Sequence, residues 1–122
     1  MKNLKNELIA KAVKKNGINI VACRGIRIAE VVRGVAFAVK AECPEDTVFV
    51  AATQETGKPM LTLLISDNLV KDGMNASKVV REAAKLIQGG GGGQPHFAQA
   101  GGKNPDGLSA AFDKMLELLG LA

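Results

Sequence analysis

Residues 89–102 read GGGGGQPHFAQAGG and hold seven of the chain's fourteen glycines. Each glycine costs a helix or strand about 0.5–1 kcal/mol relative to alanine. Five in a row are kept for one of two reasons. Either bare main chain must come very close to something, in conformations a side chain would forbid, or the segment is a flexible tether. The second half decides between them. Gln94, Pro95, His96, Phe97 and Gln99 are side chains that a tether has no use for. An ordered, functional segment is expected.

The flanking chain supplies the rest of a domain. Helical spacing of Leu4, Leu8 and Ala12 predicts a helix over residues 2–15, stopped by Asn16-Gly17. INIVAC (18–23), TVFVAAT (47–53) and MLTLLIS (60–66) are short, nearly unbroken apolar runs and read as buried strands. Residues 26–41 read as a helix that ends before Cys43-Pro44. Residues 75–88 read as a helix capped by Asn75 and ended by Gly89. Asn104-Pro105 opens a last helix through Leu108, Phe112, Met115, Leu116 and Leu119. The expected fold is α+β, ordered α-β-α-β-β-α-glycine loop-α. Its small mixed sheet has three to five strands packed with helices, one of them near Ala98–Ala100. Residues 1–16 are expected to end a preceding helical segment, and residues 17–122 to form the globular domain.

Composition narrows the chemistry. With one histidine and no closely spaced cysteine pair, no protein-built metal site is expected. Cys23 and Cys43 are expected reduced and buried, in a cytoplasmic protein. No window approaches eighteen unbroken apolar residues, so no membrane partner is expected. The serines and threonines have no histidine at a suggestive spacing. The glycines fail both phosphate-loop patterns, because Gly102-Lys103 runs into Asn104 and the run of five breaks at Gln94. Gly101, Gly102 and Lys103 instead precede a helix start, where unpaired amides would face an anion.

The net charge of +4 permits a polyanionic partner. Four phenylalanines, without tyrosine or tryptophan, cannot build a row of stacking platforms, so nucleic acid would be read through backbone and shape. Lys78, Arg81 and Lys85 share a helix stripe about 60° wide, with Arg24, Arg27 and Lys103 as further cations. The stripe reads as a cationic ridge or as an ordinary solvated helix face, since Glu82 lies among them. Phe97 either stacks on a ligand or plugs the core.

The glycine signature, the Lys-Asn-Pro after it and the KVVREAAK helix before it resemble the DHH-associated domain at the C-terminus of alanyl-tRNA synthetase. The resemblance spans residues 17–120, and it implies a C-terminal fragment of an alanine–tRNA ligase. It implies a non-catalytic module that docks on the outer corner of tRNA, where the D and T loops meet, and supports aminoacylation and editing by the parent enzyme. The fragment would need no cofactor; the parent's ATP, magnesium and zinc sites would lie elsewhere. The remaining domains of the parent and a possible second copy of the chain are the other implied partners. Gly91, Gly92, Gly93, Pro95, Ala98, Gln99, Gly101 and Gly102 match the signature. Gln94 and His96 stand where the family usually has arginine and aspartate, so a phosphate contact by that arginine does not carry over. The expected RNA-binding set is Gly91, Gly92, Gly93, Gln94, His96, Gln99, Gly101, Gly102, Lys103, Lys78, Arg81, Lys85, Arg24 and Arg27. Gly92→Val is expected to disrupt the loop and binding together. A substrate clamp of a DHH-type phosphoesterase, or a dimerisation module, are the rival readings.

Overall fold

In the computed structural model, which describes residues 2–122, one six-stranded sheet runs through the molecule in the order β1-β2-β3-β4-β6-β5. The strands are β1 (Val13–Lys15), β2 (Ile18–Ile26), β3 (Thr47–Glu55), β4 (Lys58–Ile65), β5 (Gly90–Gly93) and β6 (Phe97–Gly101). The helices are α1 (Lys2–Ala10), α2 (Ala29–Glu42), α3 (Asp67–Lys71), α4 (Ala76–Ala83) and α5 (Leu108–Leu118). Three-residue-per-turn helix extends α4 over Ala84–Ile87 and precedes α5 over Pro105–Gly107. β2 and β3 run parallel through the α2 crossover, and every other pair is antiparallel.

Helices cover both faces of this sheet. Thr47 to Thr53 of β3 are buried without alternation, which requires a layer on each side. Ile20, Val48, Val50, Leu61, Leu63 and Ile65 pack on one face with Val80, Ile87, Phe112 and Met115. Val21, Cys23, Phe49, Ala51 and Leu64 pack on the other with Leu8, Val32, Val35 and Val39. These groups define an α4/α5 face and an α1/α2 face.

The α+β class holds, with six strands instead of the expected three to five. Both extra strands escape propensity. Residues 13–15 were expected to be helical, but the helix stops at Ala10, and Val13–Lys15 folds back on β2 through the Asn16-Gly17 turn. The glycines at 90–93, expected as loop, pair with β6 as β5, because cross-strand pairing stabilises a segment whose own propensity is poor. α3 was not expected. The expected helix over 26–41 starts later, at Ala29, because β2 continues to Ile26. No side chain of Ile28 can cap α2; the Glu55 carboxylate accepts the Ala29 N–H from across the β3–β4 turn at 3.0 Å instead. Asn75 caps α4 as expected, accepting the Lys78 N–H at 3.1 Å.

The cysteines are both free; Cys23 is fully buried and Cys43, expected buried, is half-buried. Burial pushes the Cys23 thiol above its ordinary value, and the Arg27 charge and hydrogen bond pull it part of the way back. The unfolded chain therefore ionises this thiol first. This thiol's contribution to stability should be level below about pH 8.5 and fall at higher pH. Cys23→Ser should flatten that decline in melts taken across the alkaline range. A thiol reagent on the native protein should modify Cys43 well before Cys23.

Candidate nucleic-acid interface

The glycine segment is an ordered edge hairpin. Gln94 and Phe97 exchange main-chain hydrogen bonds of 2.8 and 3.3 Å across the Pro95-His96 tip. The tip is tied down twice. Ala76 N–H of α4 donates to the Pro95 carbonyl, and Ile65 N–H donates to the His96 carbonyl, each at 2.8 Å.

The glycines are required by the chain's own packing, at alternate positions. A Cβ on Gly89 would lie 2.6 Å from Gly102 Cα, one on Gly91 2.6 Å from Ala100 Cα, and one on Gly93 2.5 Å from the Phe97 carbonyl oxygen. Each is main chain of β6 or of the residue after it, and real Cβ atoms do not approach so closely. Gly90 faces open space. A Cβ on Gly92 would meet Ser77 Oγ at 3.3 Å and Arg81 Nη2 at 3.6 Å, both tips of side chains. Gly92→Val is therefore a milder change than expected from the sequence. It should shift the Arg81 guanidinium and weaken anion binding without melting the domain, a separation visible by comparing thermal melts with RNA titrations.

The expected anion site at a helix start is also corrected. Gly102 N–H donates to the Pro59 carbonyl, and the Lys103 and Asn104 N–H groups share the Ile87 carbonyl at 2.9 and 3.0 Å. Asn104 Oδ1 accepts the Asp106 N–H. These amides are spent inside the protein, so Lys103 can act only through its ammonium group.

The sequence-derived residues fall into two groups on opposite faces. Lys78, Arg81 and Lys85 form the expected exposed ridge on α4, flanking a shallow groove. The Arg81 guanidinium has no charge partner among the described residues; its Nη2 donates to Ser77 Oγ at 2.9 Å and lies beside Gly92. Lys85 pairs with Glu82 at 3.1 Å. On the α1/α2 face, Gln99 accepts from Arg33 at 3.4 Å and donates to Thr62 Oγ1 at 3.2 Å. Arg27, Gly101, Gly102 and Lys103 line a cleft at the end of the same face. Arg24 is separate, stacked 4.2 Å over the Phe112 ring on α5 and within 3.3 Å of Ser109 Oγ. Gln94 is exposed and His96 half-buried at the hairpin tip, which joins the two faces.

Three residues escape the sequence reading. Phe97, read as a ligand platform or a core plug, packs as the second. It packs against the core and also meets Phe37, with ring centroids 4.8 Å apart. The Arg33 guanidinium caps the pair, 4.9 Å from the Phe97 ring and 5.6 Å from that of Phe37. Arg33 and Phe37 are one helical turn apart and exposed, a signal the sequence carried. Lys58 is the third, on the cleft rim. Arg24, Arg27, Arg33, Lys58, Lys78, Arg81 and Lys103 form no ion pair among the described residues. Among those residues, no three His, Cys, Asp or Glu side chains converge as metal ligands, and no helix is long and apolar enough to cross a membrane.

A mixed sheet covered on both faces, with an all-glycine edge strand between two surfaces that carry unpaired cations, defines a basic α+β module. The chain belongs to the DHHA1 domain family, whose pattern matches residues 6–120. It is 54% identical over 118 residues to an alanine–tRNA ligase of Bacteroides fragilis, covering 97% of this chain and 14% of that protein. With an alanine–tRNA ligase of Porphyromonas gingivalis it shares 47% identity over 117 residues, 95% of this chain and 13% of the relative. The chain thus spans about one seventh of the length of such relatives. Among solved structures, the C-Ala domain of Aquifex aeolicus alanyl-tRNA synthetase matches 92% of this chain and 99% of its own, with TM-score 0.75 and 26% identity. The DHH domain of a member of a ribosomal-protein family shares the fold alone, with TM-score 0.63 and 14% identity over 97% of this chain and 30% of that one.

Proposed function

We propose that this chain is the non-catalytic tRNA-docking domain of an alanine–tRNA ligase. It holds the outer corner of tRNA so that the aminoacylation and editing sites of the parent enzyme can work on one bound molecule. The identity to the Bacteroides fragilis ligase along 97% of the chain carries this reading. The geometry supports it. Folded RNA is recognised by phosphates, ribose hydroxyls and shape, and the β5 edge offers bare main chain within reach of Arg81. RNA lying across that edge would meet Lys78 and Arg81 on one face and Arg33, Gln99 and Lys103 on the other. The partners on this reading are tRNA, with alanine tRNA as the natural one, and the other domains of the parent.

A gel-shift titration with tRNA, against duplex RNA of equal charge, tests the reading. Binding should favour tRNA and weaken with salt as expected for about three to five phosphate contacts. Equal affinity for the duplex would reject recognition of the tRNA corner. Arg33→Ala should weaken tRNA binding about fivefold, through loss of one cation and of its hold on Gln99.

A further inference from the structure

The cleft on the α1/α2 face has a shape and lining that a generic phosphate-binding surface does not need. Register places Thr53, Met60 and Gly101 side by side across β3, β4 and β6. Gly101 leaves the row open, since a Cβ there would find nothing nearer than the Pro59 carbonyl at 3.9 Å. The result is a hollow of about 530 Å³ lined by Thr53, Met60 and Gly101, within the size range of small-molecule sites, about 300–1,000 Å³. Arg27, Lys58 and Lys103 stand around it, none in an ion pair among the described residues. Its acid, Glu55, is engaged with the Ala29 N–H. The cleft is thus apolar at its base and cationic at its rim. A flat, weakly polar ring carrying a phosphate has the matching chemistry. In folded RNA, that group is a nucleotide from a loop whose base has left its stack.

We propose that this cleft receives one unstacked nucleotide of the bound RNA, its base against Met60 and its phosphates against Arg27, Lys58 and Lys103. The proposal rests on the RNA-docking reading but names a separate pocket, on the face opposite the α4 ridge.

The test combines nucleotide titration with tRNA binding. Adenosine monophosphate should shift the backbone amide resonances of residues 58–60 and 101–103 beyond the effect of equal inorganic phosphate. Gly101→Leu adds bulk to the hollow, with its Cβ no nearer to main chain than the Pro59 carbonyl at 3.9 Å; it should erase that footprint and weaken tRNA binding about tenfold. Lys58→Glu leaves the hollow open and the fold untouched, and should weaken both about fivefold. It decides the matter should Gly101→Leu not fold. The proposal is overturned if the mononucleotide leaves the cleft resonances unmoved, or if phosphate alone reproduces the footprint. It is also overturned if folded Gly101→Leu and Lys58→Glu proteins bind tRNA at full affinity, a result that leaves docking by the α4 ridge standing. Mononucleotide binding in the cleft of a protein with no affinity for tRNA would instead reject the docking reading, and with it the assignment of this nucleotide to RNA.

Discussion

Gly91→Ala is expected to cost about 3 kcal/mol of folding stability, while Gly90→Ala one residue away costs nothing. A methyl group at 91 lands on Ala100 Cα, which is main chain and cannot swing aside. At 90 it enters open space, and the stiffer unfolded chain even favours the substitution slightly. For a domain of this size the difference amounts to about 10 °C in melting temperature or more. Gly93→Ala should behave like Gly91→Ala. A series of melts along the run therefore reads out the pleat of β5. Equal losses at 90 and 91 would mean that the strand does not lie against β6 in this way.

Reversing Lys78, Arg81 and Lys85 together to glutamate should lower tRNA affinity about 100-fold near physiological salt, with little change in stability. The three side chains are exposed, so the fold loses almost nothing. The single variants should rank by what the structure shows of each charge. Arg81→Glu should be the most damaging, about tenfold, because its guanidinium lies against bare Gly92. Lys85→Glu should be the mildest, about threefold, because Glu82 already offsets that lysine. Unchanged affinity of the triple variant in a gel shift would remove α4 from the interface and leave the α1/α2 face to carry it.

Much of this was legible before folding, and the pattern of what was not has a physical cause. β2, β3 and β4 were visible because burial on both faces demands unbroken apolar runs. α4 was visible because its cap, its stripe and its stop are all local. The family signature in residues 89–102 was visible because it is a contiguous string. β1 and β5 were invisible because neither Val-Lys-Lys nor four glycines prefer to be strands; each becomes one only by pairing with a neighbour. The helix-start anion site failed for a related reason. Nothing local to Gly102, Lys103 and Asn104 shows that Pro59 and Ile87 will take their amide protons.

The sequence alone determined the family, the α+β class and the inventory of cations, since these depend on strings, periodicities and counts. Tertiary structure alone decided which glycines the packing requires and which cations share a face. Alternate glycines serve contact with β6, a requirement created only when β5 and β6 pair. The cations divide between two faces because α4, with Lys78 and Arg81, packs on one side of the sheet and α2, with Arg33, on the other, while strand register sends Gln99 toward α2, and Ala98 and Ala100 toward α4. Neighbours along a strand thus end on opposite surfaces, and residues such as Arg33, Phe37 and Phe97 meet only after the sheet has brought them to the same one.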